Sequence, residues 1–341
     1  MTGDIPGQSD NARGLLRSVT VTVDVSTRVP SSTSVRLNRV MRASFKQASR
    51  VLPGSAVGLR LTRAAIEVGC IAAGADKVPH TRVRTLTDRG AVHGEWVGPE
   101  ARPGEQVLLY SHGSAYAVCS PRSHRAFVAA LAERTGRRAF SLDYRMGPEH
   151  RFPAAHDDIV RAFLWLLEQG HRPENILVSG DSAGGHLSLS LCGELRRLGV
   201  PMPAGLVLFS PLVDASFDTA AAAYRRSNDP ITVPGFARRV IRHHLHTGTA
   251  NDPRFNVALE AGPDLPPALV IVGASEMMRG DSELFTQVQQ EAGGHCELQV
   301  WPGQVHVFPV LGLVPEARLA LDEVTRFVAE LDAVAHASDV G

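Results

Sequence analysis

The period of the apolar positions changes along the chain and divides it. Over 35–51, Val35, Leu37, Val40, Met41 and Phe45 recur at helical spacing, Arg36, Arg39, Arg42 and Lys46 mark an exposed side, and Pro53-Gly54 stops the run. A second helical stretch, 56–73, is rich in Ala and Leu and ends at Gly74. From there short apolar runs alternate with longer helical patterns. Runs 83–86 and 91–97 read as antiparallel strands around the turn Asp88-Arg89-Gly90. Further strands at 106–111, 138–143, 175–179, 205–209, 268–273 and 296–301 interleave with helices at 124–134, 155–168, 183–198, 281–292 and 315–333. That alternation predicts an α/β fold with a mostly parallel sheet covered by helices on both faces.

Residues 212–262 interrupt the pattern with 220–224, the turn Ser227-Asn228-Asp229-Pro230 and a helical piece at 235–246. Two helices placed before the first convincing strand cannot belong to a regular alternating layer. Together with the interruption they predict a cover over the strand ends, where open α/β sheets bind ligands. The chain then divides into a polar arm (1–33), N-terminal cap helices (34–80), a core (81–211 and 263–335), a cap or lid insertion (212–262) and a tail (336–341). Within the arm, 19–25 reads either as a short strand or as irregular chain.

Lys plus Arg equals Asp plus Glu at 35 each among 341 residues. With no basic excess, neither nucleic acid nor an anionic membrane is an expected partner. No apolar run approaches the roughly 20 residues of a transmembrane helix, and the first residues lack the pattern of a secretory signal. The expectation is a soluble, cytoplasmic protein, with a homodimer left open. Cys70, Cys119, Cys192 and Cys296 share no metal or redox spacing and read as reduced thiols, Cys119 and Cys192 as core filler. His243, His244 and His246 lack the i,i+4 pairing of a metal site, and no G-x-G-x-x-G or P-loop occurs, so no metal and no cofactor is expected.

The strongest local signal is Gly180-Asp181-Ser182-Ala183-Gly184, a G-x-S-x-G between an apolar strand and a helix. A tight strand-to-helix turn there strains the serine and exposes its hydroxyl, and only small residues two before and two after let the chains pass. The following helix aims N–H groups and a partial positive charge at the same spot. Seventy residues earlier, Ser111-His112-Gly113-Ser114-Ala115-Tyr116 ends a strand and can offer backbone N–H groups to a developing oxyanion, alongside that of Ala183.

On these residues the stretch 107–310 resembles the hormone-sensitive-lipase-like branch of the α/β-hydrolases. The resemblance is carried by His112-Gly113, by Asp143-Tyr144-Arg145-Met146-Gly147-Pro148-Glu149-His150-Arg151-Phe152-Pro153-Ala154-Ala155, by Gly180-Asp181-Ser182-Ala183-Gly184-Gly185 and by Gln304-Val305-His306-Val307-Phe308. It implies an α/β-hydrolase fold with an eight-stranded sheet and a helical cap, and a bracing role for Asp143, Tyr144, Arg145, Pro148 and Glu149. One departure stands out: the family's His-Gly-Gly-Gly is here His112-Gly113-Ser114-Ala115. By register Gly113 gives the turn while Ser114, Ala115 and Ala183 supply the oxyanion donors, provided the backbone tolerates a Cβ at two positions.

In this fold the base follows the acid along the chain, and His306 matches the family's terminal histidine; His295 reads as an exposed turn residue. The family's acid falls at the first acidic position after strand 268–273, which is Glu276, with Asp281 as the alternative and an N-cap role its simpler reading. The implied activity is carboxylic-ester hydrolysis on short-to-medium acyl esters through Ser182, His306 and Glu276 and an acyl-enzyme, with a small-molecule ester as substrate. The rival readings are an N- or O-deacetylase of a specialised metabolite and a non-catalytic ligand-binding protein on the same scaffold.

Overall fold

The computed structural model describes residues 25–51, 54–100, 102, 104–113, 115–245 and 252–339. The strand proposed at 19–25 lies almost wholly outside them. The strands are β1 (His80–Thr87), β2 (Gly90–Val97), β3 (Val107–Ser111), β4 (Arg138–Leu142), β5 (Ile176–Asp181), β6 (Gly205–Phe209), β7 (Ala268–Gly273) and β8 (Cys296–Trp301). They form one sheet in the order β1-β2-β4-β3-β5-β6-β7-β8. β1 pairs antiparallel with β2, and β2 antiparallel with β4; every other neighbouring pair is parallel.

The central strands are unbroken apolar runs because both faces of the sheet are covered. Alternation sends Val107, Leu109, Ile176, Val178, Leu206, Leu208 and Val270 to one face. There they meet Ile159, Phe163 and Leu166 of α5 (Ala154–Glu168) and Leu187, Leu191 and Leu195 of α6 (Ala183–Leu198). Leu108, Tyr110, Leu177, Val207, Phe209, Leu269 and Ile271 go to the other. That face is covered by Phe127, Val128 and Leu131 of α4 (Pro121–Thr135) and by Ala320, Val324 and Phe327 of α10 (Pro315–Asp339).

Element ends shift where caps act. α4 starts three residues before the expected point because Ser120 caps it and Pro121 occupies the first helical position, where no N–H is missed. The helix expected over 35–51 breaks into α1 (Ser32–Ala43) and α2 (Phe45–Val51) at Ser44, whose hydroxyl donates to Val40 O at 2.8 Å. The insertion holds α7 (Asp218–Ser227) and α8 (Pro234–Ile241), so His243 and His244 lie past a helix end, and His246 is outside the described residues.

The early helices are fastened to loops at the carboxyl ends of the strands. Ser34 of α1 donates to Glu316 Oε2 at 2.7 Å and Asn38 Nδ2 donates to Gly303 O at 3.0 Å. Arg63 of α3 (Ala56–Ala72) donates to Ala117 O and Gly147 O, both at 2.8 Å, while Arg60 and Arg63 pair with Glu149. The described part of the arm is anchored too: Val25 is buried, and Arg28 lies over the Trp301 ring and pairs with Glu323. Among the described residues, no helix is long and apolar enough to cross a membrane.

Candidate active site

Ser182 sits between β5 and α6 with φ 52° and ψ −116°, a strained backbone for a residue with a Cβ. The glycines around it explain how the turn closes. A Cβ on Gly180 would overlap the Gly184 backbone, one on Gly184 the carbonyl of Ser111, and one on Gly185 the ring of Pro211. The turn is pinned to the exit of β6: Ser182 N–H donates to Phe209 O at 2.9 Å, and Leu212 N–H donates to Ser182 O at 3.0 Å. The first bond of α6 runs from His186 N–H to Ser182 O, so the amides of Ala183, Gly184 and Gly185 belong to the unpaired set at a helix start.

His306 and Glu276 are brought into direct contact, Nδ1 to Oε2, at 2.5 Å. A carboxylate can only accept, so Nδ1 carries the proton and Nε2 is left as the acceptor. The other carboxylate oxygen of the fully buried Glu276 accepts from the Ser210 hydroxyl and from Gly273 N–H, each at 2.7 Å. The Ser210 hydroxyl in turn accepts from Val307 N–H at 3.2 Å. The turns after β7 and β8 interlock through Ser275 N–H to Gln304 O at 3.0 Å and Ala274 N–H to Trp301 O at 2.8 Å. Burial disfavours the imidazolium of His306, but the charge of Glu276 and its hydrogen bond outweigh it, with Asp229 and Asp181 adding, and the pKa lies above the ordinary value. Ser182 joins this group through the Phe209–Leu212 segment; among the described residues its hydroxyl is hydrogen-bonded to none of them.

Asp281 is not an N-cap. It is the third residue of α9 (Arg279–Glu291), fully buried, and its Oδ2 accepts from Val213 N–H at 2.7 Å and Asp214 N–H at 2.9 Å. It braces the segment leaving β6 and, among the described residues, is not hydrogen-bonded to His306. Burial pushes its pKa up to about 7. His295, expected exposed, is half-buried in its turn.

In the loop after β3, Gly113 N–H is consumed by Asp181 Oδ1 at 2.7 Å, and a Cβ at 113 would overlap that carboxylate. Asp181 also accepts from Tyr110 OH at 2.5 Å and lies 3.4 Å from His124 Nε2. Burial raises its pKa, yet His124 and these donors leave it below the usual range. Ser114 lies outside the described residues. Ala115 and Tyr116 follow with φ 47° and 60°, so the chain carries side chains in left-handed geometry, at 115 in place of a glycine of the His-Gly-Gly-Gly pattern. The buried Tyr116 holds that turn. Its OH lies 2.7 Å from His186 Nδ1, its ring stacks on His244 with centroids 4.0 Å apart, and its carbonyl accepts from Gly147 N–H at 2.8 Å.

The run 143–155 supplies bracing. Tyr144 stacks on His112 and its OH donates to His112 O at 2.7 Å; Arg145 pairs with Asp158 at 2.8 Å. Asp229, read from sequence as a turn residue, accepts from Ile231 N–H at 2.7 Å and Met277 N–H at 3.0 Å, tying the insertion to the residue after Glu276. Sequence reasoning gave no role to Ser210 or Tyr116; Tyr116 stands in the Gly-containing loop after β3, whereas nothing beside Ser210 in the chain marks it. Among the described residues no three His, Cys, Asp or Glu side chains are grouped to hold a metal ion, and the four cysteines are free thiols, Cys119 half-buried and Cys192 buried.

The chain is similar to known proteins of this fold. The profile of the alpha/beta hydrolase fold family matches residues 108–310. An acetyl-hydrolase of Streptomyces hygroscopicus is 38% identical over 241 residues, 69% of this chain and 78% of its own. An esterase of Acinetobacter venetianus is 31% identical over 256 residues, 74% of this chain and 84% of its own. Among solved structures, EstE5 soaked with p-nitrophenyl butyrate superposes with a TM-score of 0.76 at 32% identity, covering 89% of this chain and 99% of that one. An esterase from the bacterial hormone-sensitive lipase family gives 0.73 at 28% identity, covering 88% and 98%.

Proposed function

This chain belongs to the alpha/beta hydrolase fold family, on its hormone-sensitive-lipase-like esterase branch, and is a serine hydrolase acting on esters; we propose that Ser182, His306 and Glu276 carry the reaction as a triad. The observation that carries the proposal is the 2.5 Å bond from His306 to Glu276, which leaves Nε2 as a base, in the loops beside the strained elbow of Ser182.

The Ser182 hydroxyl attacks the ester carbonyl and its proton passes to His306 Nε2. The hydrogen bond that this transfer uses forms as substrate closes the site. The tetrahedral oxyanion rests on the N–H groups of Ala183, Ala115 and Ser114, with Gly113 shaping their loop. His306 then gives its proton to the leaving alcohol; water, deprotonated by the same nitrogen, attacks the acyl carbonyl, and the proton returns to Ser182 Oγ as the acid leaves. Neither half-reaction asks for a metal or an organic cofactor. Residues 34–80 and 212–262 act as the cap, supported by the Arg63 and Asn38 bonds to loops at the strand ends.

The acyl groups taken are short to medium, a reading supported by relatives named acetyl-hydrolase and by the butyrate ester soaked into EstE5. The acetyl-hydrolase likeness equally supports removal of an acetyl group from oxygen or nitrogen of a larger metabolite. The test is fluorophosphonate labelling of wild type and Ser182→Ala, followed by hydrolysis of p-nitrophenyl esters from acetate upward. Labelling lost in the variant, with turnover best on short chains, is expected. An unlabelled wild type, or equal labelling of both proteins, would overturn the assignment of the nucleophile.

A further inference from the structure

We propose that Ser210 is a positioning residue of the hydrolytic reaction: its one hydroxyl fixes both the Glu276 carboxylate and the loop that carries His306. The proposal rests on the triad reading above and names the group behind the acid.

Ser210 follows the last residue of β6 and is wholly buried. A hydroxyl has one proton to give. Here that proton goes to Glu276 Oε1 at 2.7 Å, and a lone pair receives Val307 N–H at 3.2 Å. Several other buried serines satisfy themselves close by or on the neighbouring strand, among them Ser188 on Gly184 O, Ser282 on Met278 O and Ser179 on Val207 O, while Ser34 bonds Gln304 and Glu316 and so ties α1 to the core. The hydroxyl of Ser210 instead reaches partners 66 and 97 positions away along the chain, both in the loops of the acid and the base. What sets Ser210 apart is that one hydroxyl joins the carboxylate bonded to His306 and the residue next to His306.

The geometry also gives such a contact a task. A glutamate has one more rotatable bond than an aspartate, so more orientations of its carboxylate miss Nδ1. Two donors on Oε1, from Ser210 and Gly273, select the orientation in which Oε2 meets His306. Ser210 belongs, too, to the segment against which the elbow is pinned, between Phe209 and Leu212. Ser182, Ser210 and Val307 all have positive φ, at 52°, 48° and 49°. Strain of that kind persists only where the surroundings over-determine the backbone, and these three residues lie in one hydrogen-bonded group.

The experiment is a double-mutant cycle of Ser210→Ala and Glu276→Gln with p-nitrophenyl acetate as substrate. Ser210→Ala should lower kcat about 10- to 100-fold, the scale of a lost hydrogen bond to a charged group, with KM within about twofold. In the Glu276→Gln background the same change should alter kcat by less than about threefold, because the two act through one contact. The far-downfield Nδ1 proton of His306 should weaken or vanish in the NMR spectrum of Ser210→Ala. If Ser210→Ala does not fold, Ser210→Cys, which keeps a weak donor, should show an intermediate loss. Full activity in either Ser210 variant, or the same fold-loss from Ser210→Ala in both backgrounds, overturns the proposal. A Glu276→Gln enzyme as active as wild type would sink the acid assignment along with it, whereas an impaired Glu276→Gln beside an unimpaired Ser210→Ala would sink only the role of Ser210.

Discussion

Replacing Glu276 by Gln changes no side-chain length and tests the base through its tautomer. Oε1 of Glu276 accepts from two donors, the Ser210 hydroxyl and Gly273 N–H. A glutamine keeps those bonds only by leaving its carbonyl oxygen there, which turns its NH2 toward His306. The imidazole then has to accept at Nδ1, so its proton moves to Nε2, and the nitrogen that should take the proton of Ser182 is already protonated. In serine proteases the equivalent wrong-tautomer change lowers kcat about 10⁴-fold, roughly 5 kcal/mol of barrier, and a loss of that order is expected here with KM little changed. The pH profile supplies a second reading. With His306 as the proposed base, activity needs its neutral ring, so kcat/KM of wild type should fall on the acid side as the ring takes up its proton, with a midpoint above the ordinary histidine value. The charges near the ring are Glu276, Asp229 and Asp181. Removing the first leaves burial dominant, which favours the neutral ring, so the midpoint should move down while the plateau collapses. Steady-state rates on p-nitrophenyl acetate from pH 5 to 9 measure both. A Glu276→Gln enzyme within tenfold of wild type, or one that outperforms Asp281→Asn, would refute the reasoning.

The buried Asp281 carboxyl, with its pKa pushed up to about 7, takes up a proton on folding between about pH 4 and 7, so its contribution to stability falls as pH rises across that window. Asp281→Asn should therefore gain up to a few kcal/mol relative to wild type at pH 8 and much less at pH 4.5, read by urea unfolding at the two pH values; an equal change at both would contradict it. Gly184→Ala places a methyl inside the Ser111 carbonyl and should abolish activity with a stability loss of several kcal/mol. Gly69→Ala, on an exposed face of α3 with nothing nearby, should stabilise by about 0.5–1 kcal/mol, both changes being checked by thermal unfolding. Tyr116→Phe leaves the Nδ1 of His186 without its donor and should cost about 1–3 kcal/mol in urea unfolding and lower kcat more than it raises KM, because the strained pair Ala115-Tyr116 loses its tether. Wild-type stability in that variant would show that the tether does nothing.

The sequence carried the fold class because it is written in local periods. The unbroken apolar runs of β3, β5, β6 and β7 and the alternation with helices required a sheet covered on both faces, and the elbow was legible because its steric demand falls on residues adjacent in the chain. What the pattern missed were local decisions by single side chains, such as the break at Ser44 and the early start of α4 at Pro121. Ser210 and Asp229 were illegible as site residues for a different reason: nothing in their neighbourhoods announces partners 97 and 48 positions away.

The same reason separates Glu276 from Asp281. Both are acids within eight residues of the end of β7, and apart from the family resemblance no spacing rule tells which one reaches His306. Only the folded turn does, sending one carboxylate to the imidazole at 2.5 Å and the other to the backbone of Val213 and Asp214. A sequence by itself determines what depends on neighbours in the chain: the periods, the sharp turn, the kinds of chemistry on offer. Tertiary structure decides which distant groups share a hydrogen bond, because directionality over less than 3 Å is fixed by how the strand ends come together and not by how far apart the residues are along the chain.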